Sequence, residues 1–504
     1  MSATEGYDVI VIGAGNAALS AAIAAREAGA RVLVLEKAPH HLRGGNTYFT
    51  GGGLRFPYNG LDHIRALIPD LTVDEARTID VGHYPQPQLY SDLMRLTEGL
   101  SDPDMVQTLV TSAYPTMLWL RQRGLRWVLM YGRQAYRVEG RLRFWGGLIV
   151  EAVGGGKGLS DQLFAAAEAM GVDMMYDAKA ARLLTDQRGA VTGVAVRTPD
   201  DTLSLAAGAV VLACGGFEAN PEMRARYLGP DWELVKVRGT RYNTGDGLRM
   251  ALEIGAQPYG HWSSCHAVAW DLNAPPYGDR VLTDLFQKHS YPLGIVVNLH
   301  GRRFLDEGAD FRNYTYVRYG RELMRQPQRV AFQIFDGKVL DILRDEYRIA
   351  QATKATAETV EDLADHLGID REGLAQTVRD FNAAVQPGHF NPAVLDGTAT
   401  QGIDPPKSNW AQPIDTPPFV GYAVTCGITF TFGGLRIVPK TAQALDTEDR
   451  LIPGLYAAGE LVGGLFYHNY PGGAGLMAGA VFGRIAGRSA AGASRGAAPP
   501  SSSP

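Results

Sequence analysis

The chain has 504 residues, 45% hydrophobic and 20% charged, long enough for two or three domains with buried cores. A net charge of −5 argues against a general nucleic-acid binder, which needs a basic surface, and no run approaches the eighteen consecutive apolar residues of a membrane span. Cys214, Cys265 and Cys426 form no C-x-x-C pair, so no disulfide framework, metal site or iron–sulfur cluster is expected, and the first apolar run lacks a signal peptide's cleavage region, which leaves the cytoplasm as the expected location.

In chain order, residues 8–12 are β-branched and nearly all apolar, as a strand buried on both faces should be. The turn Gly13-Ala14-Gly15-Asn16-Ala17-Ala18 has the G-x-G-x-x-G/A form. Gly13 permits the tight turn, Gly15 lets a diphosphate approach the backbone, and Ala18 lets helix and strand pack closely. The helix predicted over 17–28 points its free N–H groups at that diphosphate. A second strand over 31–35 ends on Glu36, followed by Lys37, where an acid can accept both hydroxyls of an adenosine ribose. Strand, turn, helix, strand and terminal acid together predict dinucleotide binding. Gly44-Gly45-Asn46-Thr47 and Gly51-Gly52-Gly53 then offer side-chain-poor backbone to the same ligand.

Residues 62–125 are mostly helical in pattern and read as covering structure. Arg133, Arg137, Arg141 and Arg143 suit carboxylate recognition but read first as a solvated charged hairpin. Gly154-Gly155-Gly156-Lys157-Gly158 fails as a second nucleotide loop, because the third small residue falls at Leu159. Residues 172–176, 180–184 and 191–196 read as strands of a β-meander. A buried strand over 209–213 runs into Cys214-Gly215-Gly216, placed to close the far side of the dinucleotide together with Ala180 and Ala213. Asn243-Thr244-Gly245-Asp246 opens a helix whose acid, by itself, reads as a cap.

From 257 to 406 the texture changes to aromatics, histidines and prolines in long loops, as in an inserted domain. It contains Gly301-Arg302-Arg303-Phe304-Leu305-Asp306-Glu307 and, five residues on, Arg312. Core-like sequence returns with Thr429-Phe430-Thr431, then Gly459-Glu460, Tyr470-Pro471-Gly472-Gly473, Gly475 and Leu476. Residues 490–504 are nearly all small residues, Pro and Ser, and are expected to be disordered.

These motifs, from residue 7 to 488, resemble the flavoprotein family of fumarate reductases, succinate dehydrogenase flavoprotein subunits and flavin-dependent ketosteroid dehydrogenases. Within it, the runs 301–314 and 468–473 are most similar to the tricarballylate dehydrogenase branch. The resemblance implies an α/β fold: a Rossmann-like FAD-binding domain with a parallel sheet and β-meander (1–256 and 407–489) and an inserted α+β capping domain (257–406). It implies non-covalent FAD, since Asn46 stands where covalent relatives carry a flavin-linked histidine. It also implies hydride transfer at a C–C bond beside a carboxylate or ketone, best represented by tricarballylate to cis-aconitate. Arg312 would be the acid/base, Glu307 its relay and Tyr470 a third catalytic group. Thr429, Thr431, Arg303, Tyr470 and Gly473 would bind substrate. The family's dicarboxylate-binding histidine and arginine are replaced here by Thr429 or Phe430 and by Tyr470. Candidate replacement cations are Arg55, Arg241, Arg303 and the cluster at Arg133, with His266 and His289 as polar partners. With no redox relay in the chain, electrons would pass to a separate membrane iron–sulfur or haem protein, drawing the enzyme to the inner membrane face. Two alternatives stand beside this: a desaturase or ene-reductase of a ketone, and a flavin module that carries electrons without turning over a substrate.

Overall fold

The computed structural model describes residues 6–496. The first strand, Tyr7–Ile12, is buried at its last four positions, and the neighbouring strand, Val32–Leu35, at all four. Between them the Ala-rich helix Asn16–Glu27 crosses over, buried from Asn16 to Ala25. Tyr7–Ile12 pairs in parallel with Val32–Leu35 on one side and with Thr202–Leu212 on the other. The sheet continues to Asp173–Met175 at one edge. At the other it runs through Leu451–Ala457 to the antiparallel Gln443–Leu445.

Residues 173–175 are thus a parallel edge strand and not part of the meander expected over 172–176. The helix Gly155–Ala169 precedes them and provides the crossover that a parallel neighbour requires. The meander consists of Lys179–Thr185, Val191–Arg197 and the first half of Thr202–Leu212. That last strand serves two sheets: its first seven residues alternate between exposed and half-buried, while its last four are all buried. Alternation marks the solvent-faced hairpin, and the continuous apolar run marks the strand covered on both sides.

The final helix, Ala474–Gly496, lies along the first helix. A Cβ on Gly487 would stand 2.8 Å from the carbonyl carbon of Ala21, so only glycine lets the two backbones approach this closely. The expected disorder from 490 onward does not hold over 490–496. Ala490 and Ala491 are buried in the main core, and that burial carries the helix onward. Residues 497–504 of that expectation lie outside the described residues.

A second sheet is built around the 17-residue strand Phe419–Leu435, which pairs antiparallel with Pro258–Asp271, Val330–Phe335 and Lys354–Ala357. Helices Val360–Leu367 and Arg371–Ala384 cover it with their own apolar cluster, in which Leu363, Leu374 and Phe381 meet Ile295 and Phe332. The two long strands also feed the main core through Cys265, Ala267, Ile428 and Phe432, so the second sheet packs against the first. The second sheet therefore draws Phe419–Leu435 from beyond the expected limit of 406, and a capping unit over 257–406 is a proposed division of a continuous structure. Among the described residues no helix is long and apolar enough to cross a membrane.

Candidate active site

One deep cavity opens at the C-terminal ends of the parallel strands, where Gly13, Glu36, Ala213 and Gly459 come together, and runs to the inner face of the two long strands. At its first end, Gly13 has φ +102° and donates its N–H to the Leu35 carbonyl at 2.8 Å. Gly15 caps the first helix without a side chain, and Gly15, Asn16 and Ala17 at that helix end line the cavity. Asn16 is tied on both sides: its N–H donates to Thr47 Oγ1 at 2.9 Å and its side-chain amide to the Leu476 carbonyl at 2.7 Å. Its buried Oδ1 has no partner.

Glu36 is buried, and desolvation pushes its carboxyl above the usual range, although the Ala38 N–H donates to it at 2.7 Å. Lys37 donates to Thr244 Oγ1 at 2.6 Å and to Asp246 at 2.7 Å, and Lys179 reaches the other Asp246 oxygen at 2.7 Å. Burial alone would raise Asp246, but the two lysines hold it down at about 2. Asp246 is therefore the anchor of a charged cluster and not merely a cap.

Halfway along the cavity, Glu460 accepts from the Thr431 N–H at 2.8 Å and lies against the buried Glu218, and burial pushes both carboxyls up. Glu218 accepts from the side-chain amides of Asn46 and Asn243, each at 2.6 Å. Asn46 also donates to the Thr429 carbonyl at 2.7 Å and accepts from the Thr240 N–H at 2.9 Å, so its side chain is saturated by protein.

Of the residues expected at the cofactor, Gly15, Ala17, Gly45, Thr47, Gly51, Gly53, Cys214, Gly215, Gly475 and Leu476 also line the cavity. Ala18, Gly44, Gly52 and Gly216 do not. Ala18 is fully buried in the core, and the other three allow close packing, on Ser160, Gly155 and Glu460 respectively. An uncapped helix end, an orphaned amide oxygen and a buried acid at the second strand's end fit a dinucleotide carrying a diphosphate and a ribose.

The other end is lined by Arg133, Arg238, Arg312 and Arg344, with Asp284, Gln287, His266, His289, Tyr316, Thr429, Tyr470 and Gly473. Arg133 makes a two-pronged pair with Asp284 at 2.8 and 3.1 Å, so one arginine of the expected solvated hairpin instead faces the cavity. Arg344 pairs with the buried Glu346 at 2.6 Å and donates to the Arg133 carbonyl at 2.5 Å. Arg312, 7% exposed, has no hydrogen-bonded or ion-paired partner among the described residues. It lies only against the rings of Trp145 and Tyr316, at 5.8 and 5.9 Å. Desolvation, reinforced by the charge of Arg344, brings its pKa down to about 9. His266 and His289 are buried with both ring nitrogens unpartnered, and desolvation keeps both neutral at pH 7. The Tyr316 hydroxyl donates to that of Tyr470 at 2.6 Å.

Two residues expected at the reacting end lie apart from the cavity. Glu307 is fully buried, but Arg303 engages both its oxygens, at 3.1 and 2.6 Å, and the Val296 N–H donates to it at 2.7 Å. Neither residue lines the cavity, and Glu307 is engaged by Arg303 and not by Arg312. Glu307 and Arg303 are four residues apart in an irregular stretch that brings them face to face, and this bidentate pair leaves Glu307 no free oxygen to offer Arg312. The carboxylate whose charge acts on Arg312 is that of Glu346. Arg303→Ala should accordingly cost about 3–5 kcal/mol by stranding a buried carboxylate. Urea unfolding will measure it, and adding Glu307→Gln should recover most of the loss. Of the other expected cations, Arg55 is held by Gly472 and Tyr84 outside the cavity, and Arg241 lies against Tyr277. Arg238, Arg344, Asp284, Gln287 and Tyr316 were not expected, and nothing in their local sequence marks them.

Comparison with protein families matches residues 8–476 to the family described as FAD binding domain. The chain is 30% identical over 485 residues to a urocanate reductase of Eggerthella lenta, covering 91% of this chain and 70% of that protein. It is 29% identical over 484 residues to a probable fumarate reductase of Shewanella frigidimarina, covering 95% and 74%. Among solved structures it resembles the open conformation of a flavocytochrome c3 fumarate reductase, with a TM-score of 0.72, 27% identity and coverage of 97% and 79%.

Proposed function

The chain belongs to the FAD binding domain family and is an FAD-dependent oxidoreductase of C=C and CH–CH bonds, and from that premise we propose that its substrate carries a carboxylate at the reacting carbons. The observation that carries this reading is Arg312, a buried guanidinium with no protein anion against it, in a cavity shared with three further arginines. Burying an unpaired charge is costly, so a site that keeps one is organised for an anion that arrives with the substrate. Bound FAD supplies the two-electron chemistry by accepting or giving a hydride. The protein's part is the proton. A guanidinium lowered to about 9 by burial can protonate the carbon neighbouring the one that exchanges hydride, or in its neutral form take that proton away. His289 and Tyr316 exclude water around it, and Thr429, Tyr470 and Gly473 set the substrate against it.

The reaction proposed is oxidation of tricarballylate to cis-aconitate, a loss of one hydride and one proton from adjacent carbons. The FAD is held without a covalent bond, since the side chain at position 46 is an asparagine already saturated by protein. Electrons leave through a separate membrane iron–sulfur or haem protein, with this chain on the cytoplasmic face. One observation favours a ketone instead: the hydrogen-bonded hydroxyls of Tyr316 and Tyr470 would suit a carbonyl oxygen. Anaerobic titration of the holoenzyme separates the two readings. Tricarballylate is expected to bleach the visible flavin absorbance at stoichiometric levels while saturated ketones leave it unchanged, and bleaching by ketones alone would overturn the carboxylate reading.

A further inference from the structure

Arg238 enters the cavity from the end of the short strand Lys236–Val237, far in sequence from Arg312. It is 7% exposed, and its buried Nε has no partner. Its nearest carboxylate, Asp284, stands 3.8 Å away and is already committed to Arg133 at 2.8 Å. Among the described residues its one side-chain hydrogen bond is a long one, 3.5 Å to Thr429 Oγ1. A guanidinium offers five donors, and most of those on Arg238 are free.

The groups beside it are unsatisfied too. His266 presents two unpartnered nitrogens, with its ring 5.0 Å from Tyr470 and 5.1 Å from Tyr316. The charge of Arg238 acts on His266, Tyr316 and Tyr470, as well as on His289 and Asp284, and its side-chain hydrogen bond is to Thr429. Arg312 instead lies with Arg344 and Trp145. Four guanidiniums face two carboxylates here: Asp284 is shared by Arg133 at 2.8 Å and Arg238 at 3.8 Å, and Glu346 pairs with Arg344, so Arg238 and Arg312 are left short of counter-charge. Both charges act on Tyr316, whose ring faces Arg312 and whose hydroxyl donates to Tyr470.

We propose that Arg238, with His266, is the specificity-determining pole that takes a second carboxylate, remote from the bond undergoing oxidation, and so selects polycarboxylates over monocarboxylates. The inference rests on the carboxylate reading above and adds to it the number of carboxylates and the residues that count them. A free monocarboxylate satisfies one pole and leaves the other desolvated, whereas a di- or tricarboxylate satisfies both.

The test is a titration of flavin absorbance in the holoenzyme with tricarballylate, succinate and propionate, in wild type, Arg238→Gln, Arg238→Lys and His266→Gln, with bound FAD measured in each. Arg238→Gln is expected to weaken tricarballylate and succinate by about 30-fold or more, while propionate changes by less than about threefold. Arg238→Lys should fall between, because a point charge replaces a planar fork. Should Arg238→Gln lose its FAD, His266→Gln must still weaken the polycarboxylates selectively. Equal weakening of all three acids, or no change in any, overturns the role of Arg238 and leaves the carboxylate reading standing. If no acid perturbs the wild-type flavin, the carboxylate reading itself is the one that fails.

Discussion

Arg312→Ala is expected to lower turnover by about a thousandfold or more while leaving the bound flavin in place, because the proposed acid/base is removed from a site distant from the dinucleotide-binding turn. The pH profile gives the sharper reading. Arg312 is pulled down to about 9 by desolvation and by Arg344, so its protonated form predominates below that value. In the direction that reduces a C=C bond, the residue must give a proton, and kcat/KM should be flat at lower pH and fall as pH rises through about 9. In the direction that removes hydrogen it must accept one, and kcat/KM should rise with pH up to the same value. Arg344→Gln removes the neighbouring positive charge and should move the limb upward in both directions. A profile whose limb ignores Arg344 would assign the proton to another group, and His289 is the next candidate by position.

Gly13→Ala should yield protein that purifies without flavin. The added Cβ would lie 2.5 Å from the Ala213 carbonyl oxygen and 2.7 Å from the Cys214 Cα, and these are backbone atoms that cannot swing aside. The residue would also have to hold φ at +102°, a conformation that costs a non-glycine residue about 1–3 kcal/mol. Both strains fall on the junction of the two central parallel strands, where the cofactor's diphosphate is to pass the first helix. Absorbance of the purified variant and its melting temperature measure the effect. A yellow variant with full FAD content would mean that the turn does not serve the diphosphate.

The Arg303–Glu307 pair shows why a motif can be read in full and its roles still misassigned. From the run Gly301 to Arg312, Arg312 enters the cavity, but its sequence neighbour Glu307 does not follow it. Arg303 and Glu307, four residues apart in an irregular stretch, satisfy each other, and the five residues up to Arg312 carry the chain into the helix Arg312–Glu322, away from that pair. The cluster at Arg133 errs the other way. Its arginines are alike in sequence, yet Arg133 is half-buried against Asp284 while Arg137, on the hairpin that follows, stays exposed. Which arginine turns inward depends on an aspartate 151 positions away.

What the sequence by itself determined is the dinucleotide cradle: a buried strand, the glycine turn, an uncapped Ala-rich helix and Glu36 lie within 30 residues, and backbone sterics and helix ends act over that range. The tertiary structure alone decided the charge map of the other end. There, Arg238, Asp284, Arg312 and Arg344 come from four separate segments, and whether a buried guanidinium is neutralised or left free depends on carboxylates brought to it only by the packing of the two sheets. Ion pairing falls off over a few ångströms of space and is indifferent to distance along the chain.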